Sequence, residues 1–171
     1  LSTCNRVEVY VSHGTEPDAL LQDVKEFLCE WHGVAAEDLK SALYQFKDEE
    51  AVGHLFRVTC SLDSLVVGEG QILGQVHDAF LLAQTEQATD KITAALFQRA
   101  FSVAKNVRTH TGISAGKVSV GSVAVDLAVS IFMDLAGKTV MIVGSGKMGE
   151  LTLRNLVSRG AERFLMVNRS V

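Results

Sequence analysis

The strongest constraint on how this chain folds is Gly144-Ser145-Gly146-Lys147-Met148-Gly149, because of what flanks it. Thr139-Val140-Met141-Ile142-Val143 comes before, a short apolar, β-branched run that reads as a fully buried parallel strand. A helical pattern over about 147–158 follows, then Gly160, then Arg163-Phe164-Leu165-Met166-Val167 as a second strand. Strand, glycine loop, helix and strand form the context that G-x-G-x-x-G spacing needs to hold a dinucleotide. Gly144 suits the tight turn, Gly146 lets a pyrophosphate approach the backbone, and Gly149 lets the helix pack against the strand. The helix start offers oriented N–H groups to an anion, so Ser145, Lys147 and Met148 join the glycines as candidate cofactor-binding residues.

The end of the second strand discriminates between cofactors. NAD sites usually carry an acidic residue there for the ribose hydroxyls. This chain has Asn168-Arg169-Ser170. Asparagine removes the charge that would repel a 2′-phosphate, and Arg169 and Ser170 can bind one, so NADPH is expected rather than NADH.

Upstream the pattern changes. Val7-Glu8-Val9-Tyr10-Val11 alternates and reads as a strand. Thr15, Pro17 and Asp18 open a helix whose apolar positions run from Leu20 to Trp31, and Gly33 stops it. Cys29 and His32 on that helix read as structural. A short helix over 37–40 and a strand over 42–46 follow, and Asp48 is expected to cap a helix carrying Ala51, Val52, Leu55, Phe56 and Val58. Helical spacing then covers 71–84, 92–107 and 119–132. The expected architecture is an α+β catalytic domain over 1–112, an antiparallel sheet with helices, followed over 113–171 by the start of an α/β Rossmann-type nucleotide-binding domain. The boundary falls in 112–116, where Thr, Gly and Ser cluster.

The 171 residues are 47% hydrophobic, enough for one good core or one domain and part of another. A net charge of −4 gives no overall footprint for nucleic acid, so any such contact is local. Arg99, Lys105 and Arg108 lie along one helix, a pattern more often met on a plain solvated face. Three cysteines without a CxxC pair argue against zinc and against a disulfide framework, and fit a reducing compartment. No apolar run is long enough to span a membrane, and no signal peptide is visible. The chain opens without Met and closes after a second strand, so it reads as a piece of a longer protein, cut at both ends.

Chemistry concentrates in two stretches. In Ser2-Thr3-Cys4-Asn5-Arg6 a cysteine lies two residues before an arginine; in an extended chain the two share a side. A nearby guanidinium favours the nucleophilic thiolate, and the same fork can clamp a carboxylate. The alternative is a small, inert cysteine at a strand start. In 61–75, Gly68 and Gly70 permit unusual backbone angles, while Ser64, Glu69, Gln71 and Gln75 can hold an amino acid's ammonium and carboxylate. Glu69 suits the ammonium, since it only accepts. The alternative here is a polar loop and a helix cap. His54 lies on a helix, where a lone histidine is usually a surface or satisfied core residue.

Together, Ser2-Thr3-Cys4-Asn5-Arg6-Val7-Glu8-Val9-Tyr10, the block 61–76 and the loop 144–149 resemble, in order, the glutamyl-tRNA reductase family. The first two blocks are specific to it and the third is generic. The resemblance implies a ferredoxin-like catalytic domain, with Cys4 as nucleophile and His54 at a position important for activity. It places Thr3, Asn5, Arg6, Ser64, Glu69, Gly70, Gln71 and Gln75 around the substrate, Gly70 standing where relatives commonly have proline. It implies NADPH-dependent reduction of glutamyl-tRNA(Glu) to glutamate-1-semialdehyde through a Cys4 thioester, the first step of tetrapyrrole synthesis. It also implies a missing N-terminal strand, a homodimer through an absent C-terminal domain, product hand-off to glutamate-1-semialdehyde aminomutase, and a cytoplasmic setting, bacterial cytosol or plastid stroma. Two other readings remain open: an NADPH oxidoreductase acting on a free small carboxylic acid, and a non-catalytic nucleotide-binding module.

Overall fold

The structure, a computed structural model, describes residues 1–3, 5–12, 14, 17–114 and 119–169. Cys4, Thr15 and Ser170 lie outside the described residues, as does the part of the expected boundary beyond 114. The chain divides into two units, Leu1–Ile113 and Ser114–Val171.

The first unit is built from helices α1 (Pro17–His32), α2 (Ala36–Lys40), α3 (Asp48–Thr59), α4 (Gln71–Thr85) and α5 (Lys91–His110). Their apolar stripes meet in one core of Leu55 and Val58 from α3, Ile72, Val76 and Phe80 from α4, and Phe97 and Ala100 from α5. Phe80 and Phe97 stack at 5.2 Å, and Tyr10 meets the edge of Phe97 at 5.5 Å, which ties the 7–11 segment to the core. Asp90 starts α5 with a reciprocal capping box with Thr93.

Two expectations for this unit are corrected. The antiparallel sheet is not formed among the described residues. The 7–11 and 42–46 segments carry no strand ladder, and the β contact there is an isolated antiparallel bridge between Ser2 and Val7. Alternation reports a β-compatible surface, but a ladder also needs a partner strand at hand. Both segments instead line a cavity of about 440 Å³ together with α1, α3 and the start of α5. Second, Asp48 is not the cap of α3: Lys47 holds that place with no side-chain cap bond, and Asp48 is the first helical residue. Whether Cys4 shares a side with Arg6 lies outside the described residues, because Cys4 does. Leu1 and Glu8 exchange backbone hydrogen bonds at 2.8 Å, and Thr3 N donates to Arg6 O at 2.9 Å, so the chain reverses between Thr3 and Arg6. The Thr3 hydroxyl accepts from the backbone N–H of Asn5 and Arg6, which stabilises that reversal.

The second unit holds α6 (Val120–Phe132), β1 (Thr139–Val143), α7 (Lys147–Ser158) and β2 (Arg163–Val167). Ser119 caps α6 through a capping box with Ser122. β1 and β2 pair in parallel, Thr139 opposite Arg163 through Val143 opposite Val167, with α7 as the crossover. Val125, Leu135, Ile142, Leu156 and Ala161 form its core. β1 is not buried on both faces: Ile142 is 9% exposed, but Met141 is 62% and Val143 75% exposed. α6 and α7 supply the apolar cover for one face of this two-stranded sheet, and alternate side chains on the other face meet solvent.

Candidate functional site

The first unit gathers its ionisable side chains around Glu8. The period-2 spacing of 7–11 puts Glu8 and Tyr10 on one side and the three valines on the other. Here the polar side faces in: Glu8 is 7% exposed, while Val7 is 59% exposed. A buried carboxylate needs donors, and Glu8 has four. His54 Nε2 lies 2.7 Å from Oε1, Tyr44 Oη donates to the same oxygen, and Arg6 Nη1 is 3.4 Å from it. Tyr10 Oη donates to Oε2 at 2.6 Å. Burial alone would raise the pKa of Glu8, but hydrogen bonds from Tyr10, Tyr44 and His54 outweigh it and hold Glu8 below the usual carboxylate range. Burial, and then the bonds to Glu8, push the phenols of Tyr10 and Tyr44 up.

Asp63 joins the same cluster from the 61–70 loop. Arg6 Nη1 is 3.2 Å from its carboxylate, and Arg6 Nη2 donates to its backbone carbonyl. Burial works against the charge of Arg6, but the bond and field of Asp63 with the charge of Glu8 hold its pKa up. His54 is 6% exposed, on the buried face of α3. Its ring lies 4.6 Å from Phe46 and 5.5 Å from Tyr44, and its Nδ1 is 3.7 Å from Asp63 Oδ2.

The structure therefore brings together two residues singled out in the sequence, Arg6 and His54, with four that were not: Glu8, Tyr10, Tyr44 and Asp63. Thr3 and Asn5 shape the reversal beside them. The other expected substrate residues lie along the 61–75 stretch. Ser64 Oγ and Gln75 Oε1 are buried with no hydrogen-bond partner among the described residues. Glu69 is 5% exposed, its side chain accepts no hydrogen bond among the described residues, and burial raises its pKa. Its carbonyl accepts from Ser61 Oγ at 2.7 Å and from Arg108 Nη1 at 3.5 Å. Gly70 is the N-cap of α4, and Gln71 its exposed first residue. Gly68 takes φ +84, and a Cβ there would lie 2.0 Å from the carbonyl oxygen of Ile113.

In the second unit, the 144–149 loop joins β1 to α7. Gly144 takes φ +100 and donates its N–H to Val167 O at 2.7 Å. A Cβ on Gly149 would meet the Gly144 carbonyl oxygen at 2.6 Å, so α7 sits against the loop at a distance that excludes any side chain. Gly146 caps α7 with nothing within 4 Å of where a Cβ would be, leaving room above the helix start. Ser145 and Lys147 are exposed and Met148 half-buried there, and Asn168 and Arg169 are exposed just after β2. Among the described residues no cluster of His, Cys, Asp and Glu could hold a metal ion, and no helix is long and apolar enough to cross a membrane.

A helical unit with an inward polar cluster, followed by a βαβ unit with a glycine loop, defines a two-unit chain of the dinucleotide-loop class. Residues 1–111 match the model described as glutamyl-tRNAGlu reductase, N-terminal domain, and residues 126–171 match shikimate/quinate 5-dehydrogenase. The glutamyl-tRNA reductase of Carboxydothermus hydrogenoformans is 47% identical over 170 residues, covering 99% of this chain and 38% of that protein. That of Brevibacillus brevis is 47% identical over 172 residues, covering 100% and 37%. A solved glutamyl-tRNA reductase from Methanopyrus kandleri is 34% identical, covers 91% of this chain and 44% of its own, and has a TM-score of 0.47. The chain belongs to the glutamyl-tRNA reductase family. It spans about two-fifths of the length of the curated relatives it matches.

Proposed function

We propose that this chain supplies the acyl-transfer unit, and the start of the cofactor unit, of an NADPH-dependent enzyme that reduces glutamyl-tRNA(Glu) to glutamate-1-semialdehyde for tetrapyrrole synthesis. The observation that carries this is the polar cluster beside the 3–6 reversal, where Arg6 and His54 converge in a chain 47% identical to proteins named for that reaction.

The Cys4 thiolate attacks the ester carbonyl of the glutamyl group. A carbon–sulfur bond forms, the carbon–oxygen bond to the terminal ribose breaks, and the ribose oxygen takes a proton. Arg6 favours the thiolate and orients a substrate carboxylate, and His54 handles the proton. Of the other two cysteines, Cys60 is sealed in the core with its thiol pushed up by burial, and Cys29 is half-buried on α1. Glu69, Ser64 and Gln75 offer the amino acid buried polar groups without a side-chain partner among the described residues, and Thr3, Asn5, Gly70 and Gln71 would complete its site.

The 144–149 loop fits a dinucleotide: it has the glycine that admits α7 against β1, and open space at Gly146 where a pyrophosphate would lie. Gly144, Ser145, Gly146, Lys147, Met148 and Gly149 would hold the pyrophosphate, and Asn168, Arg169 and Ser170 the 2′-phosphate. NADPH, when bound, supplies the hydride that turns the thioester into aldehyde and free thiolate. The test is Cys4→Ser in the full-length protein, expected to abolish reduction while leaving NADPH affinity within about twofold, the effect of a surface change. Turnover equal to that of the parent would overturn the assignment.

A further inference from the structure

Among the described residues Glu8 is the most heavily bonded side chain in the first unit, and the proposed reaction gives it no part. We propose that Glu8 is a positioning residue: it holds His54 as the Nε2–H tautomer and so makes Nδ1, on the Asp63 side, the edge that carries the proton of acyl transfer. This rests on the reading that His54 handles that proton.

The argument starts from what each atom can donate. Glu8 accepts from Tyr10 Oη on one oxygen and from Tyr44, Arg6 and His54 on the other. A carboxylate surrounded by donors is ionised and can only accept. The bond between His54 Nε2 and Glu8 Oε1, 2.7 Å long, is therefore possible only with the proton on Nε2. In the neutral ring Nδ1 is then bare. Among the described residues the polar group beside it is Asp63 Oδ2 at 3.7 Å, beyond hydrogen-bond reach. In that tautomer Nδ1 presents a lone pair that can accept a proton.

The surroundings keep it on that edge. Phe46 at 4.6 Å and Tyr44 at 5.5 Å pack against the ring, and a flip would break the bond to Glu8. Among the described residues, the charged and titratable groups around His54 and its partner Glu8 are Arg6 and Tyr10 on Glu8, Tyr44 from 42–46, and Asp63 from the 61–70 loop. The Asp63 side chain is half exposed, so the Nδ1 edge lies toward the open side of the cluster and the Nε2 edge toward its closed side. When Nδ1 takes the thiol proton, the imidazolium sits between two carboxylates. When the carbon–oxygen bond breaks, that proton passes to the ribose oxygen. Protons balance and nothing is oxidised or reduced.

The test uses full-length protein with 15N-labelled histidine. Long-range 1H–15N correlation reads which ring nitrogen of neutral His54 lacks its proton. The proposal expects a bare Nδ1 in the parent, and a bare Nε2 overturns it. Glu8→Gln is expected to lose that preference, cut kcat by roughly 10- to 100-fold, and move the acid limb of kcat/KM to lower pH, because the imidazolium loses a neighbouring charge. Tyr10→Phe removes another donor to Glu8 and should leave tautomer and limb in place. A fall in kcat with no movement of the limb makes Glu8 merely structural and overturns the proposal. Should Glu8→Gln fail to fold, Asp63→Asn, which removes the charge on the Nδ1 side, must shift the limb in the same direction. Loss of turnover in the parent itself would sink the reductase reading, while the tautomer measurement would still decide this one.

Discussion

Replacing Glu8 by glutamine should destabilise the first unit, and by an amount that depends on pH. The carboxylate accepts from two phenols, an imidazole and a guanidinium, at separations up to 3.4 Å, and is almost fully buried. Glutamine has one acceptor oxygen, so part of this donor set loses its acceptor and must turn to accept from the new NH2 group or go unpaired, and the Arg6 guanidinium cannot accept. Breaking one partner of a buried ion pair costs about 3–5 kcal/mol. The lower end, about 3 kcal/mol at neutral pH, is expected here, because the amide oxygen keeps part of the bonding. The pH dependence follows from Glu8 being held below the usual carboxylate range in the folded state. A lowered folded value means stability that is present above the unfolded value, around 4.5, and is lost as pH falls through the folded one. The gap between parent and variant should thus be full at pH 6–7 and shrink below about pH 4. Urea unfolding read at the α3 amide signals, at a series of pH values, measures it. A gap that stays constant down to pH 3, or one below about 0.5 kcal/mol at neutral pH, the range of an ordinary surface change, would refute the account of Glu8 as the ionised centre of the cluster.

Other outcomes follow from the glycines. Gly149→Ala should cost about 1–3 kcal/mol in the second unit, since its Cβ would lie 2.6 Å from a backbone oxygen, and should weaken NADPH binding as well. Gly146→Ala meets nothing within 4 Å, so it should leave unfolding unchanged and still weaken NADPH binding; equal effects on both would refute the loop assignment. Gly68→Ala is expected to lose more than about 2 kcal/mol, combining a left-handed φ with a Cβ 2.0 Å from the Ile113 carbonyl oxygen. A denaturant midpoint equal to the parent's would contradict that packing.

Much of the helical frame can be read directly from spacing. The runs 20–31, 71–84, 92–107 and 119–132 repeat at helical period and fall on α1, α4, α5 and α6. The glycine loop was legible because both strands and the helix stand at the required distances along the chain. What stayed hidden depends on contacts between distant residues. Glu8 and His54 are 46 positions apart, and Arg6 and Asp63 are 57 apart, so no local window contains either pair. The alternation in Val7-Glu8-Val9-Tyr10-Val11 says that two faces differ, but not which one is inside; a cluster of donors reverses the usual choice. A hint was present: two polar groups able to bond each other stand at i and i+2 on one face. The same limit explains the missing antiparallel ladder, since β-compatible segments do not reveal whether a partner lies alongside.

The central claim is that the sulfur of Cys4 carries the acyl group. Full-length protein incubated with glutamyl-tRNA and no NADPH, then quenched in acid and digested, should yield a Cys4-containing peptide heavier by one glutamyl group, and that mass should vanish when NADPH is added before quenching. An unmodified Cys4 peptide, from protein that still produces aldehyde once NADPH is supplied, would contradict the account.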